Sequence, residues 1–404
     1  MFTDSALDFC ALNIFTNRLK GGLRILKGRG FSGIMYCLTI KLKGGFTMLR
    51  GLTMLKGRGL KWTITTFACI LALVGLTANI GSAAVTLRLS HPSQPKTPVA
   101  DSFELFKSTV ERDSKGELKV DLFGAGVLGS EIEATEQLLM GQIDIAVVAT
   151  TNYSGKSNTY QAFDLPYVFT AHDEWRYQFG GVKGAGGELL RELRGYVITK
   201  EDTMLLGFEA PGLPKSVANS RRLVKTPNDA KGLKIRVSAS PVEAALMKEW
   251  GFTPVPVPWP ETYSAIAQKV VDGSVTQWLV GGQMGHFDIM KFNLEPDAVQ
   301  SGYVILMNGK KWKSLSSDLQ QLLLRAAAES TLQCWADIEK VNQEWKDKAL
   351  KKGVETYFPT GDVKAQWYNL AMKVWPAYAP KVDQQVLKMV EKYKKEYQEY
   401  LKKK

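Results

Sequence analysis

The chain of 404 residues is 23% charged and 45% hydrophobic, the range of soluble globular proteins, which excludes a multi-pass membrane protein and a disordered polyelectrolyte alike. Its formal charge of +12 invites a nucleic-acid partner, but a surplus of nine lies in residues 1–84, where eleven Lys and Arg face only Asp4 and Asp8. The remainder is nearly balanced at +3, too little to drive phosphate-backbone binding, and nucleic acid is set aside as a partner.

Residues 1–53 repeat Gly, Lys and Arg in KGGLRILKGRG and KGGFTMLRGLTMLKGRG without a stable apolar period, and read as an extension from a start codon placed too early. Residues 54–84 read as a secretory signal peptide. A basic MLKGRGLK precedes the apolar stretch Trp62–Leu76, and the small residues Ser82 and Ala84 set a cut after Ala84. The apolar core of about 15 residues is short of the roughly 20 that a spanning helix needs. The expected location is therefore the periplasm. Cys10, Cys37 and Cys69 fall in the leader, so Cys334 alone remains, which excludes an internal disulfide and a Cys-based zinc site in the mature chain. On its apolar helix Cys334 is expected to be a plain core residue.

From Val85 strand-like and helix-like runs alternate, the pattern of an α/β protein. VTLRLS is the first strand, Pro98–Ser114 a helix with Val99, Phe103, Phe106 and Val110 on one face, LKVDLF (118–123) a strand, Glu131–Met140 a helix closed by Gly141, and 143–149 a buried strand. Leu205–Phe208 and Lys234–Val237 read as further strands. After the second, Ser240-Pro241-Val242-Glu243 reads as a capping box opening a helix that runs to Trp250. FTPVPVP, a helix from Pro260 to Val271 and a strand-like Ser274–Val280 follow, then Tyr303–Met307, a helix over Ser317–Asp347 and a helical tail from Asp362.

Gly124-Ala-Gly126-Val-Leu-Gly129 has the spacing of a dinucleotide fingerprint between a strand and a helix. The strand before it has one wet face, and the strand after the helix ends near Val148–Thr151 without the acid that ribose hydroxyls require, so these glycines read as a tight turn. His91, His172 and His286 are widely spaced and form no metal-ligand pattern, and no nucleophile-base pair stands out. Gly232-Leu-Lys-Ile-Arg-Val237 is more informative. Alternation sends Lys234 and Arg236 to the face opposite Leu233, Ile235 and Val237, and the strand leads into a capped helix, where open α/β sheets bind ligands. That pattern alone leaves open whether Arg236 lies on a solvated face or grips a carboxylate.

KTPNDAKGLKIRVSASPV (225–242), ETYSAIAQKVVDG (261–273), GSEIEATEQLLMGQIDIAVV (129–148) and FDLPYVF (163–169) together resemble, in order, the extracytoplasmic solute receptors of tripartite ATP-independent periplasmic (TRAP) transporters, the DctP-like family. The resemblance covers nearly all of residues 85–350. It implies a two-lobed periplasmic binding protein with a central cleft, a long interdomain helix and C-terminal helices: lobe 1 at 85–209 with 301–335 returning to it, lobe 2 at 210–300, and 336–404 packing across both. It implies a monomer that binds one small organic acid and delivers it to a sodium-driven permease, with no catalysis, cofactor or metal.

Arg236 of KIR matches the family's main carboxylate clamp, and Trp259 replaces an aromatic residue that packs on the ligand. Lys215 stands before Ala218-Asn219-Ser220 where many relatives have a second arginine. After VDG the chain has Ser274-Val275-Thr276-Gln277-Trp278 in place of QENP, which resembles a subgroup for larger or more apolar monocarboxylates, and Lys269 replaces the usual Gly. The expected ligand contacts are Arg236, Trp259, Trp278, Gln277, Lys215, Asn152 and His91. A metal-carboxylate complex held near Gln277 and Trp278, a sensory receptor, and an exported α/β enzyme are the alternatives.

Overall fold

A computed structural model describes residues 84–404 except 211 and 213, and before them the backbone of four strands, β1 (Phe15–Arg18), β2 (Leu23–Gly30), β3 (Gly33–Leu42) and β4 (Gly45–Thr53). These pair antiparallel in chain order as a unit of their own. The spacing of residues 1–53 assigns no element there. The expected signal peptide at 54–84, with Cys69, lies outside the described residues save Ala84.

The second unit is built on two sheets. β5 (Val85–Ser90), β6 (Leu118–Phe123), β7 (Ile145–Ala149) and β8 (Thr203–Glu209) form the first, with β14 (Tyr303–Asn308) inserted antiparallel between β7 and β8, giving the order β6-β5-β7-β14-β8. β9 (Ser216–Asn219), β10 (Lys234–Val237), β11 (Thr253–Pro256), β12 (Gly273–Thr276), β13 (Phe292–Leu294) and β15 (Glu355–Tyr357) form the second, in the order β11-β10-β12-β9-β13-β15. β15 lies in a stretch where helical spacing gave no sign of a strand. Its three residues pair parallel with β13.

Helix Pro98–Asp113 starts where Thr97 Oγ1 accepts from Ala100 N at 2.9 Å, a hydroxyl cap before a proline at the first turn. Its predicted face, Val99, Phe103, Phe106 and Val110, is wholly buried against Leu87, Leu89, Leu118 and Val120 of the first sheet. Helix Ser317–Lys351 is longer than its spacing suggested, 35 residues or about 52 Å at 1.5 Å per residue. Leu323, Ala327 and Cys334 pack in the core of the first sheet, whereas Ala349 packs beneath the second, so one rigid rod serves both lobes. Burial pushes the Cys334 thiol well up, as befits an inert core residue.

The tail forms helices Gly361–Met372, Val374–Tyr378 and Gln384–Lys403. Trp367 of the first is fully buried and donates Nε1 to Lys225 O at 3.2 Å, edge-on to Trp250 of lobe 2. Gln384–Lys403 instead covers lobe 1, where Tyr393 O accepts from Gln178 Nε2 at 2.8 Å.

Two further stretches differ from expectation. Ser274–Val280 is strand only to Thr276 and turns helical at Trp278–Gln283, because the apolar run is buried at the end of a sheet and continues into a second helix-forming segment. The helix from Pro260 is shorter, Thr262–Ala267, and chain reversal at Lys269 uses a left-handed φ of 61°. That conformation suits glycine, the residue Lys269 replaces. Lys269→Gly is expected to stabilise the protein by roughly 1 kcal/mol, read as a thermal midpoint about 2 °C higher. A lower midpoint would contradict it.

Candidate binding cleft

The carboxyl ends of β7, β10 and β12 meet at one place, and the start of β14 joins them because Tyr303 pairs with Ala149. A cavity of about 40 Å³ there is lined by Ala149, Thr151 and Asn152 after β7, Arg236 and Ser238 at the end of β10, Thr276 and Gln277 at the end of β12, and Ser301 and Tyr303 at β14. Glu131, Lys215 and Trp259 close it. A smaller hollow of about 20 Å³ shares Trp259 and Tyr303.

Arg236 dominates the cavity. Its strand neighbours Ile235 and Val237 are fully buried in the lobe 2 core, so alternation turns the arginine to the opposite face, where it is 4% exposed. Nε donates to Val257 O at 2.9 Å, and the guanidinium carbon lies 5.3 Å from the centre of the Trp259 ring. Neither terminal nitrogen donates to a described residue, and no ion pair joins Arg236 to a described carboxylate. Burial pushes the guanidinium down from its ordinary value, opposed by the fields of Glu243 and Glu131, yet an arginine stays a cation.

Lys215 is differently placed. Its Nζ lies 2.5 Å from Glu243 Oε1 and donates to Thr151 Oγ1 at 3.1 Å. Glu243 also accepts from Ser238 N at 2.7 Å and from the Ser238 hydroxyl. Burial alone would raise this carboxyl, but Lys215, Ser238 and Arg236 together hold it below the usual range. The expected capping box is therefore half formed. Ser240 Oγ accepts from Glu243 N at 3.2 Å, but the carboxylate that would have returned to Ser240 N is spent on Ser238 and Lys215.

Five of the seven expected contacts, Arg236, Lys215, Trp259, Gln277 and Asn152, line the cavity. Trp278 and His91 do not. Trp278 is turned into the lobe 2 core, stacked on Phe287 at 4.7 Å with Nε1 donating to Glu295 Oε1 at 2.8 Å. Lys346 Nζ pairs with the same carboxylate at 3.2 Å, so an ammonium holds the acid nearest Trp278. His91 lies under Gly124, where a Cβ would come within 2.8 Å of its ring, and packs on Phe103 at 5.1 Å; burial pushes its pKa down to about 4. The GxGxxG stretch thus wraps a buried imidazole at the edge of the sheet. Gly126 and Gly129 have φ of 69° and 113°, which the turn requires.

Spacing missed Glu131, Ser238, Glu243 and Tyr303. His286 is fully buried behind Trp259, 4.8 Å between rings, neither nitrogen has a described partner, and burial beside Arg236 lowers its pKa to about 4. Among the described residues no group of three or more His, Cys, Asp or Glu converges on a metal position, and no helix is long and apolar enough to cross a membrane. A larger hollow of about 440 Å³ lies between the 179–187 loop and the long helix, but its arginines are committed, Arg194 to the carbonyls of Leu205 and Leu206 and Arg191 to Glu188.

The model of the bacterial extracellular solute-binding proteins, family 7 (DctP), matches residues 89–381. The chain belongs to that family. It is 27% identical over 316 residues to the C4-dicarboxylate-binding periplasmic protein DctP of Vibrio cholerae, covering 77% of this chain and 92% of that one. It is 28% identical over 273 residues to the 2,3-diketo-L-gulonate-binding periplasmic protein YiaO of Escherichia coli, covering 67% and 80%. In fold it is similar to a TRAP periplasmic solute-binding protein of Shewanella oneidensis with bound succinate, TM-score 0.69 at 24% identity, covering 77% and 99%. A counterpart from Anaerococcus prevotii with bound D-glucuronate gives 0.71 at 18%, covering 78% and 99%. This family 7 protein is a two-lobed α/β solute-binding protein.

Two buried carboxyls brace the cleft without an ion pair to a described residue. Asp164 accepts from Ser240 Oγ at 2.5 Å, linking the lobes, and burial pushes its pKa up to about 7. Glu209 accepts from Ser102 Oγ at 2.7 Å and burial pushes it up to about 8. Unfolded, both would ionise near pH 4; folded, they keep their protons to about 7 and 8. At these two groups the native state thus binds more protons in between, and their contribution to stability falls as pH rises through that window, by at most about 1.4 kcal/mol per pH unit for each; His91, His172 and His286, each pushed down to about 4 by burial, act in the opposite sense below about pH 6.5. Between pH 7 and 8 Glu209 is the larger of the two contributions, because Asp164 is already about half ionised at the start of that interval. Glu209→Gln, which keeps an acceptor for Ser102, is expected to flatten that part of the curve in urea unfolding. An unchanged slope would contradict it.

Proposed function

We propose that this receptor binds a small organic acid in the cleft through Arg236 and hands it to a sodium-driven permease of the membrane. One observation carries the reading: Arg236 is a buried cation with two terminal nitrogens uncommitted to described residues and no carboxylate partner among them. A buried charge without a partner is costly, and a planar guanidinium with two parallel donors fits a carboxylate. The acids named for its relatives, C4-dicarboxylates, 2,3-diketo-L-gulonate, succinate and D-glucuronate, share that group and support the reading.

A cavity of about 40 Å³ is smaller than such acids, so the lobes must part to admit one. Closure is held by bonds across the cleft: Lys215 Nζ to Thr151 Oγ1 at 3.1 Å, Ser240 Oγ to Asp164 Oδ2 at 2.5 Å, and Ala239 N to Asn152 Oδ1 at 3.4 Å. A ligand touching both lobes makes its full set of contacts only when they are shut and shifts the population that way. Export through the signal peptide fits this role, and a cut after Ala84 leaves β5, which starts at Val85, intact.

Arg236→Ala is expected to weaken carboxylate binding at least tenfold, and by about thirtyfold or more if the loss reaches the roughly 2–5 kcal/mol of a truncated buried charge pair. Protein refolded to strip carried-over ligand should gain roughly 4 kcal/mol from an acid at about a thousand times its dissociation constant, seen as a raised melting midpoint that the variant lacks. An equal rise in wild type and variant would remove Arg236 from the site.

A further inference from the structure

We propose that Glu131 makes the cleft selective for acids that carry one carboxylate and a hydroxyl, and that it turns away diacids; this rests on the receptor reading above. Three charged side chains line the cavity, Arg236, Lys215 and Glu131. Lys215 is already neutralised by Glu243 at 2.5 Å. That leaves one cation with free donors, enough for one carboxylate.

Glu131 is the counterweight. It opens helix Glu131–Met140, directly after the Gly124–Gly129 turn, and is 8% exposed. Oε1 accepts from Ala149 N at 2.6 Å and Oε2 from Asn152 Nδ2 at 2.7 Å. Asn152 is oriented for this because its Oδ1 accepts from Ala239 N across the cleft. A carboxylate oxygen accepts more than one hydrogen bond, so Glu131 keeps capacity for a donor from the ligand. A hydroxyl supplies that donor. Burial pushes the Glu131 carboxyl up from its ordinary value, opposed by the bond from Ala149 N, the field of Arg236, the bond from Asn152 and the field of Lys215; as a carboxylate it offers a second carboxylate no donor and a like charge in a place with little water to screen it.

Among the described residues no other charge around the cleft offsets this. The neighbouring 20 Å³ hollow has no charged side chain in its wall. Behind Trp278, Glu295 and Lys346 pair with each other, and the buried imidazole of His286 is neutral near pH 7. The curated relative from Vibrio cholerae is named for C4-dicarboxylates, so this places the present receptor in a different ligand class from that relative.

The test is titration calorimetry at pH 7.5 on the exported protein with matched acids that differ in a second carboxylate: lactate and malate, glycerate and tartrate, gluconate and glucarate. In each pair that binds, the one-carboxylate member should bind at least a hundredfold more tightly. Glu131→Gln, checked for native circular dichroism, should narrow that ratio at least tenfold by strengthening the diacid and weakening the hydroxy acid. A diacid that binds wild type as tightly as its partner, or a folded Glu131→Gln with the ratio unchanged, overturns the assignment. The wild-type ratio stands even if the variant does not fold. If the monoacid binds and needs Arg236 but the diacid is not disfavoured, only the role of Glu131 falls. If no acid binds, or binding survives Arg236→Ala, the receptor reading falls with it.

Discussion

The structure turns on a guanidinium placed where water cannot easily reach it and where no described carboxylate meets it. Arg236 is fixed by the Val257 carbonyl and by the face of Trp259, and its backbone is locked between β11 and β12. Such a charge is tolerated only if something balances it, and the nearest acids, Glu243 and Glu131, act through their fields without pairing with it. The strands, the aromatic ring and the shut lobes therefore hold a cation ready for an anion from outside.

Lys215 shows the contrast. It is a cation in the same cleft, but Glu243 and the Val299 carbonyl hold it in place while its Nζ donates to Thr151 Oγ1 on the other lobe. On the proposed function one basic residue recognises and the other fastens. The fastening draws on a rigid base: Asp164 bonds to Ser240 from a loop anchored by Phe163, which packs edge-on against Trp175, Phe179 and Phe208 at 5.7–6.3 Å. Each such pair is worth about 0.5–1.5 kcal/mol beyond its burial, so the latch residue is held by the lobe 1 core. The helix Ser317–Lys351 couples the lobes from behind, with Asn342 Oδ1 accepting from Leu279 N at 3.2 Å beside the cleft.

Much of this was legible in the sequence, because it rests on periodicity and on local strand chemistry. Alternation in LKIRV put Arg236 opposite the apolar face, and the helical face of Val99 to Val110 is the face that is buried. What alternation could not show is which way a large side chain turns at a strand end. Trp278 follows Gln277 into a helix and faces the core. Glu131 and Glu243 were hidden because acids in a first helical turn look like ordinary capping residues. Glu133, not Glu131, completes that box with Ser130, which frees Glu131 for the cleft. The signal available was a second acid in the first helical turn, Glu131, beyond the one that the capping box uses.

The most direct test of the central claim is a crystal structure of the protein isolated from its periplasm with whatever it carries. The account predicts a carboxylate in the cleft with both oxygens about 3 Å from the terminal nitrogens of Arg236. A ligand seated elsewhere, or an Arg236 turned to Glu131 or Glu243 while the ligand's charge is met by another residue, would contradict it.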